Sequence, residues 1–196
     1  MLKVALTGGI ATGKSYVLEQ FRRRGVPCLD ADELAHGVTA LGTEATTAIA
    51  ERFGREILAA DGSVDRTKLG PIVFADRAAR LELEAIVHPA VHRAIAMGVR
   101  AFELMGDALA VVAVPLLYET GAEKDFDKVI VTACAPDVQL ARVMARGLSE
   151  DAARQRLAAQ WPTERKTARA DFVITTDGSF ADTDEQITRL LGNLRI

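Results

Sequence analysis

Leu2-Lys3-Val4-Ala5-Leu6-Thr7-Gly8-Gly9-Ile10-Ala11-Thr12-Gly13-Lys14-Ser15 is the stretch that decides the fold of this chain. Its second half fits Gly-x-x-x-x-Gly-Lys-Ser, and its first half is an apolar run that reads as a strand. A strand that ends in a glycine-rich loop and restarts as a helix turns several backbone N–H groups inward on one small volume, with the positive end of the helix dipole behind them. Such a nest binds phosphate. Gly8, Gly9, Ile10, Ala11, Thr12 and Gly13 form it, Lys14 adds a mobile charge for the β- and γ-phosphates, and the Ser15 hydroxyl is placed to ligate the Mg²⁺ that travels with ATP. The helix that follows reads from Gly13 to Arg24, with Val17, Leu18 and Phe21 on one face and Gly25 as its stop. Arg22, Arg23 and Arg24 read as solvated cations favoured by the helix C-terminus.

A length of 196 residues suits one domain with small insertions. A formal charge of −3 argues against a nucleic-acid surface, so the positive field of any anion site must be built locally. No apolar run approaches the length of a membrane span, and no signal sequence opens the chain, so a cytoplasmic location beside the ATP pool is expected. A monomer is expected, with an oligomer left open. Cys28 and Cys134 lie in apolar, strand-like surroundings without a Cys or His at metal-ligand spacing, and read as small buried hydrophobes.

Beyond the loop, Val26-Pro27-Cys28-Leu29 reads as a second strand, which places Asp30 and Asp32 at the ligand edge of a parallel sheet. Either aspartate can cap the next helix or do chemistry. A Thr- and Ala-rich helix ends near Phe53-Gly54, and Asp61 to Arg66 reads as a turn and cap for a short helix from Thr67 to Phe74. From Asp76 to Met105 the pattern is helical, with Leu81, Ala85, Val91, Ile95, Val99 and Phe102 on its apolar face; Pro89 predicts two helices or one kinked one. His88 before the break reads by itself as a structural histidine. Leu109 to Val114 is a continuous apolar strand, as a strand covered on both faces should be, and it runs into Pro115-Leu116-Leu117-Tyr118-Glu119. Glu119 can act on Mg²⁺ through water or be a solvated loop acid. Lys128 to Thr132 and Phe172 to Thr175 read as further strands, with helices from Pro136 to Arg146 and from a Ser149 cap through Leu157 between them. Arg142, Arg146, Arg154 and Arg156 fall there. Asp182 and Glu185 resemble a capping box for a last helix that buries Ile187, Leu190, Leu191 and Leu194. Strands alternating with helices predict an α/β fold: a five-stranded parallel sheet of P-loop NTPase type in three layers, with helices on both faces.

Two classes compete, a small-molecule kinase and a nucleotide-operated switch or regulatory ATPase. The guanine-reading Asn-Lys-x-Asp of a GTPase is missing, and the third strand ends in Pro115 rather than in paired acids. A kinase needs an acceptor pocket, a base and an arginine lid, and candidates for all three exist.

Leu6-Thr7-Gly8-Gly9-Ile10, Asp30-Ala31-Asp32, Phe53-Gly54, Asp65-Arg66, His88-Pro89, Pro115 to Glu119, Arg146-Gly147-Leu148-Ser149, Gln160 and Ala170-Asp171, taken in order, resemble the dephospho-CoA kinase family. The resemblance spans about Leu6 to Ser179. It implies transfer of the ATP γ-phosphoryl group to the ribose 3′-hydroxyl of dephospho-CoA, the final step of coenzyme A synthesis; a kinase for another small hydroxyl acceptor is the nearby alternative. It further implies sheet order 2-3-1-4-5, a helical acceptor-binding region at about 54–105 and a lid at about 140–158. Carried over residue by residue, Asp32 is the base, and Asp30 its structural neighbour. Lys14 and Arg146 act on the moving phosphoryl group, and Arg142 closes on the nucleotide. His88, Pro89, Leu116 and Glu119 belong to the acceptor side. The family loop commonly has Gly-Ser where this chain has Ala11-Thr12, so Ala11 is expected at a backbone angle an alanine can hold. Thr176-Asp177-Gly178 stands where the family has Asn-x-Gly, which leaves the adenine contact there open.

Overall fold

The computed structural model describes residues 1–194; residues 195–196, the end of the expected 1–196 domain, lie outside that description. In chain order the elements are β1 (Leu2–Gly8), α1 (Lys14–Arg23), β2 (Cys28–Asp30), α2 (Ala31–Val38), α3 (Glu44–Phe53), α4 (Arg66–Ala75), α5 (Arg77–Leu104), β3 (Leu109–Ala113), β4 (Lys128–Ala133), α6 (Pro136–Met144), α7 (Glu150–Ala158), α8 (Thr163–Thr167), β5 (Phe172–Thr175) and α9 (Phe180–Leu194). Single 3₁₀ turns lie at Arg55–Ile57 and Ala122–Asp125. The chain divides into two compact units, one of Met1–Asp30 with the chain from Ala101 onward, the other of Ala31–Arg100.

The first unit is the five-stranded parallel sheet in the order β2-β3-β1-β4-β5. The loop-bearing strand β1 is central, running from Leu2 opposite Leu109 to Leu6 opposite Ala113 on one side and from Val4 opposite Lys128 to Gly8 opposite Thr132 on the other. Side chains alternate across a strand, and here both faces are buried. Val4 and Leu6 join Val17, Leu18 and Phe21 of α1 and Ile187, Leu190, Leu191 and Leu194 of α9. Ala5 faces the other way, into a cluster with Leu117, Tyr118, Val129 and Val131. This double burial is why the strands read as continuous apolar runs rather than alternating ones. At the end of α1, Gly25 takes φ +74°, while the Gly25 and Val26 N–H groups donate back to Arg22 and Phe21 carbonyls, a Schellman stop. Arg23 pairs with Glu19 on the exposed surface, as a solvated cation does, but Arg24 is only partly exposed, donating to the Gln20 carbonyl at 3.0 Å and to Gln20 Oε1 at 2.7 Å and lying 3.5 Å from Asp184. Cys134 is buried and Cys28 partly so, and burial pushes the Cys28 thiol up to about 12.

The second unit has its own core, in which Ile49, Ile57 and Leu69 are buried against Phe53, Val64, Leu83 and Val87. Asp65 caps α4 by accepting from the Thr67 N–H at 2.9 Å, as the sequence predicts.

Of the two readings at Pro89, one helix holds: α5 runs over 28 residues. Proline at this position removes only the bond to the Ala85 carbonyl. Ala85 and Pro89 both lie on the exposed side of α5, where water can satisfy that oxygen. Two expectations need correction. The apolar face of α5 holds from Val91 through Phe102 but not at Leu81 and Ala85. Leu81 is 52% exposed, whereas Ala79 and Val91 are buried and Leu83, Ile86 and Val87 pack on the core of the unit. Finally, the box at the start of α9 is formed by Ser179 and Asp182 rather than Asp182 and Glu185. The Asp182 carboxylate accepts from the Ser179 N–H at 2.8 Å and the Ser179 hydroxyl accepts from the Asp182 N–H at 3.2 Å. Glu185 instead pairs with Arg189 one turn on.

Candidate active site

The phosphate loop joins β1 to α1 and is held by contacts within it and by side chains from distant parts of the chain. The Thr12 N–H and hydroxyl both reach the Gly9 carbonyl, at 3.3 and 2.8 Å, and the same hydroxyl lies 2.8 Å from that of Thr132 on β4. The Thr176 hydroxyl donates to the Thr12 carbonyl at 3.1 Å. The Ile10 carbonyl accepts from the Gln139 amide at 2.7 Å, while the Ile10 N–H donates to Gln160 Oε1 at 2.9 Å. Glycine is required at two points for different reasons. A Cβ on Gly8 would lie 2.1 Å from the Thr132 hydroxyl, and Gly13 holds φ +87° immediately before α1. Lys14 and Ser15 then open α1, half-buried and exposed respectively, at the positive end of the helix.

Ala11 departs from expectation. It takes φ +61°, the left-handed region, and no other non-glycine among the described residues has a positive φ. Its methyl group is buried against Val143 of α6 and Ala153 of α7. Left-handed alanine costs about 1–2 kcal/mol, and a buried methyl returns about 0.8 kcal/mol. Ala11→Gly would relieve the strain but lose the contact and add chain entropy to the unfolded state. The two effects nearly cancel, so Ala11→Gly is expected to change unfolding free energy by no more than about 1 kcal/mol, while Ala11→Val, β-branched at positive φ, costs about 2 kcal/mol or more. Denaturant titration of both variants checks this.

Beside the loop lies a cavity of about 620 Å³ bounded by Gly13, Tyr16, Arg142, Arg146, Thr176 and Phe180. Tyr16 and Phe180 pack at 4.6 Å between ring centroids. The two arginines of α6 and its following turn are not equivalent. The Arg142 guanidinium is committed to Thr176, donating to its hydroxyl at 2.9 Å and its carbonyl at 2.6 Å. Arg146 is exposed at the cavity, and its side chain makes no hydrogen bond or ion pair among the described residues.

A loop of this geometry binds nucleotide phosphates in many families; the rest of the sequence decides which. The sequence model of dephospho-CoA kinase matches residues 2–182. The chain belongs to the dephospho-CoA kinase family. It is 46% identical to a dephospho-CoA kinase of Anaeromyxobacter dehalogenans, over all of this chain and 93% of the relative, and 43% identical to one of Geobacillus kaustophilus, over 97% and 95%. A solved dephospho-CoA kinase from Campylobacter jejuni superposes with a TM-score of 0.76 at 30% identity, covering 98% of this chain and 96% of that one. A shikimate kinase from Bacteroides thetaiotaomicron, TM-score 0.50 at 16% identity and covering 100% and 99% of the two chains, shares the fold alone.

Among the residues that the family resemblance singles out, Asp30 ends β2 and Asp32 sits in the first turn of α2. His88 and Pro89 lie on α5, and His88 lines an apolar groove of about 300 Å³ within the 31–100 unit, shared with Ile49, Leu69, Val73 and Phe74 and with Arg66 and Glu84 as polar members. Leu116 is exposed just beyond β3.

Glu119 has partners inside the protein. Its Oε1 accepts from Lys166 Nζ at 2.8 Å and from the Trp161 N–H at 2.9 Å. Burial pushes this carboxyl up, but the Lys166 and Trp161 hydrogen bonds outweigh it and hold it below the usual carboxylate range. Lys166 itself is 0% exposed and also reaches the Pro115 carbonyl at 3.4 Å. Removing one partner of a buried pair leaves a stranded charge, at about 3–5 kcal/mol. Lys166→Met is therefore expected to lower unfolding free energy by that amount, and Glu119→Gln added to it to recover most of the loss, as read by denaturant melts. Because the Glu119 pKa is depressed on folding, its contribution is present above the ordinary carboxylate range and is lost as pH falls through the depressed value. In Lys166→Met this acid-side loss should disappear.

Sequence reasoning found the loop and both arginines but not Gln139, Thr132, Thr176 or Lys166 as parts that hold them. These residues are 34 to 164 positions from the groups they contact and follow no local pattern; Gln160 carries a signal as part of the family resemblance, and Thr176 only as the start of an open adenine contact. For a metal, no cluster of three or more His, Cys, Asp or Glu is placed to bind one among the described residues. The Ser15 hydroxyl, exposed at the start of α1, is an oxygen donor of the kind that suits a Mg²⁺ accompanied by nucleotide phosphates and water.

Proposed function

We propose that this chain transfers the γ-phosphoryl group of ATP to the 3′-hydroxyl of dephospho-CoA. Family membership supports the reaction, and the observation that carries the assignment of parts is the difference between the two arginines at the loop: one tied to Thr176, the other uncommitted. In this reading the backbone N–H groups of the loop hold the phosphates, with Gly8 and Gly9 giving close approach, and Lys14 neutralises charge on the transferring group. Ser15 would hold Mg²⁺, which would supply further charge neutralisation when bound. The cavity beside Tyr16, Thr176 and Phe180 takes the base, with Arg142 at its wall. The segment at about 140–158 acts as a lid that carries Arg146 to the phosphoryl group. Asp32 accepts the proton of the acceptor hydroxyl. Within the 31–100 unit, the apolar groove lined by His88 suits the extended arm of the acceptor, with Arg66 as its cation. The family resemblance puts Leu116 and Glu119 on the acceptor side as well, and Glu119 is paired with Lys166.

Catalysis here is positioning and charge neutralisation rather than covalent chemistry. A coupled assay tests the reading: ATP turnover should depend on dephospho-CoA and place a new phosphate on the ribose 3′ position. ATP hydrolysis indifferent to dephospho-CoA but stimulated by a protein partner would replace it with the nucleotide-switch reading. Another hydroxyl compound that supports turnover where dephospho-CoA does not would change the acceptor. No described helix is long and apolar enough to cross a membrane. We infer a cytoplasmic monomer with no nucleic-acid partner, for which fractionation and light scattering are the tests.

A further inference from the structure

Both polar groups of one loop residue are taken by side chains that arrive from separate places. The Ile10 carbonyl accepts from Gln139 Nε2 at 2.7 Å, and Gln139, on α6, is only 8% exposed. The Ile10 N–H donates to Oε1 of Gln160, beyond the end of α7, at 2.9 Å. A backbone N–H can donate only to the amide oxygen, and a backbone carbonyl can accept only from the amide nitrogen. The contacts therefore fix the orientation of both glutamines without ambiguity. Next in the chain is Ala11, held at φ +61° with its methyl against Val143 and Ala153 of the same two helices. A non-glycine at that angle persists only when its surroundings over-determine it. Thr12, on the far side, is fixed by Gly9, Thr132 and Thr176.

We propose that Gln139 and Gln160 are positioning residues that act as a two-sided latch on the Ile10 backbone, holding the first half of the phosphate loop in its binding shape from the α6–α7 side. Two consequences follow. The Ile10 N–H is spent on Gln160 and is not one of the phosphate donors, which must come from later in the loop. Movement of α6 and α7 and the shape of the loop are also coupled, because the same helices supply Gln139, the Ala11 contact and Arg146. Misplacing a binding nest by an ångström costs as much as about a hundredfold in rate, so a partial relaxation should be visible in kinetics.

The proposal rests on the kinase reading, and the test separates the two. Gln139→Ala, Gln160→Ala and the double variant of the full chain are compared with the unaltered protein at a temperature well below melting. Affinity for MgADP is measured by calorimetry, and kcat and both KM values by the coupled assay. Each single variant is expected to bind MgADP about tenfold more weakly and to lose about tenfold in kcat, with KM for dephospho-CoA within twofold. Because both glutamines hold one residue, the double variant should be no more than about threefold worse than the poorer single variant. Singles within threefold of the unaltered protein in both affinity and kcat, or losses that multiply in the double, overturn the latch. If the unaltered protein shows no dephospho-CoA-dependent turnover, the kinase reading fails while the MgADP measurements still decide the latch. Should Gln139→Ala not fold, Gln139→Met keeps the volume and removes only the amide.

Discussion

Arg146→Ala lowers kcat for dephospho-CoA phosphorylation by about 10³–10⁵-fold, the range for an arginine that stabilises a transferring phosphoryl group, and changes KM for ATP far less. Arg142 and Arg146 are one helical turn apart, and the sequence leaves open which of them dominates, but the structure engages them differently. Arg142 is bound bidentately to Thr176 beside the cavity, so Arg142→Ala should act chiefly on KM for ATP. Arg146 makes no such commitment among the described residues and is the cation able to follow the phosphoryl group. Arg146→Lys should recover little, because an ammonium lacks the planar fork of donors that spans two phosphate oxygens. Steady-state kinetics with both substrates saturating checks the ranking; a larger loss of kcat in Arg142→Ala than in Arg146→Ala would reverse the assignment.

The second large effect is expected at Asp32. Asp32→Asn keeps size and hydrogen-bonding capacity but cannot take a proton, and should cost about 10²–10⁴-fold in kcat, with ATP affinity unchanged. The expected loss is below that of Arg146 for a physical reason. In a loose phosphoryl-transfer transition state the attacking hydroxyl is only lightly bonded, so its proton matters less than the charge on the equatorial oxygens. Asp30, the last residue of β2, is paired in register with Ala113, and Asp30→Asn should have the smaller effect. Near-normal turnover in Asp32→Asn together with a large loss in Asp30→Asn would move the base to Asp30.

Much of this protein is legible along the chain because the decisive signals are local. The Gly8 to Ser15 spacing specifies a strand, a turn and a helix within one short segment, and the continuous apolar runs at Leu2, Leu109 and Lys128 report strands buried on both faces. Helix caps at Asp65 and Ser149 are equally local and were read correctly. At Pro89 the single-helix reading holds because solvent can take up the carbonyl it frees. Other local rules are overridden by tertiary context. Leu81 is exposed because the core of its unit lies on another face of α5. Ser179 displaced Glu185 from the cap because α9 begins earlier than its apolar face suggests.

The sequence by itself determined the phosphate loop, the α/β class and the family, since each depends on which residues occur at what spacing. Only the tertiary structure decided how the loop is held. Ala11 can take a left-handed angle because Val143 and Ala153 pack its methyl group while Gln139 and Gln160 hold Ile10 before it. Lys166 can be a buried cation because Glu119 meets it, and Arg142 is committed where Arg146 is not because Thr176 lies within its reach. Such contacts join residues far apart in the chain, and their energies depend on distance and burial, neither of which exists before the sheet closes the two ends of the sequence around the loop.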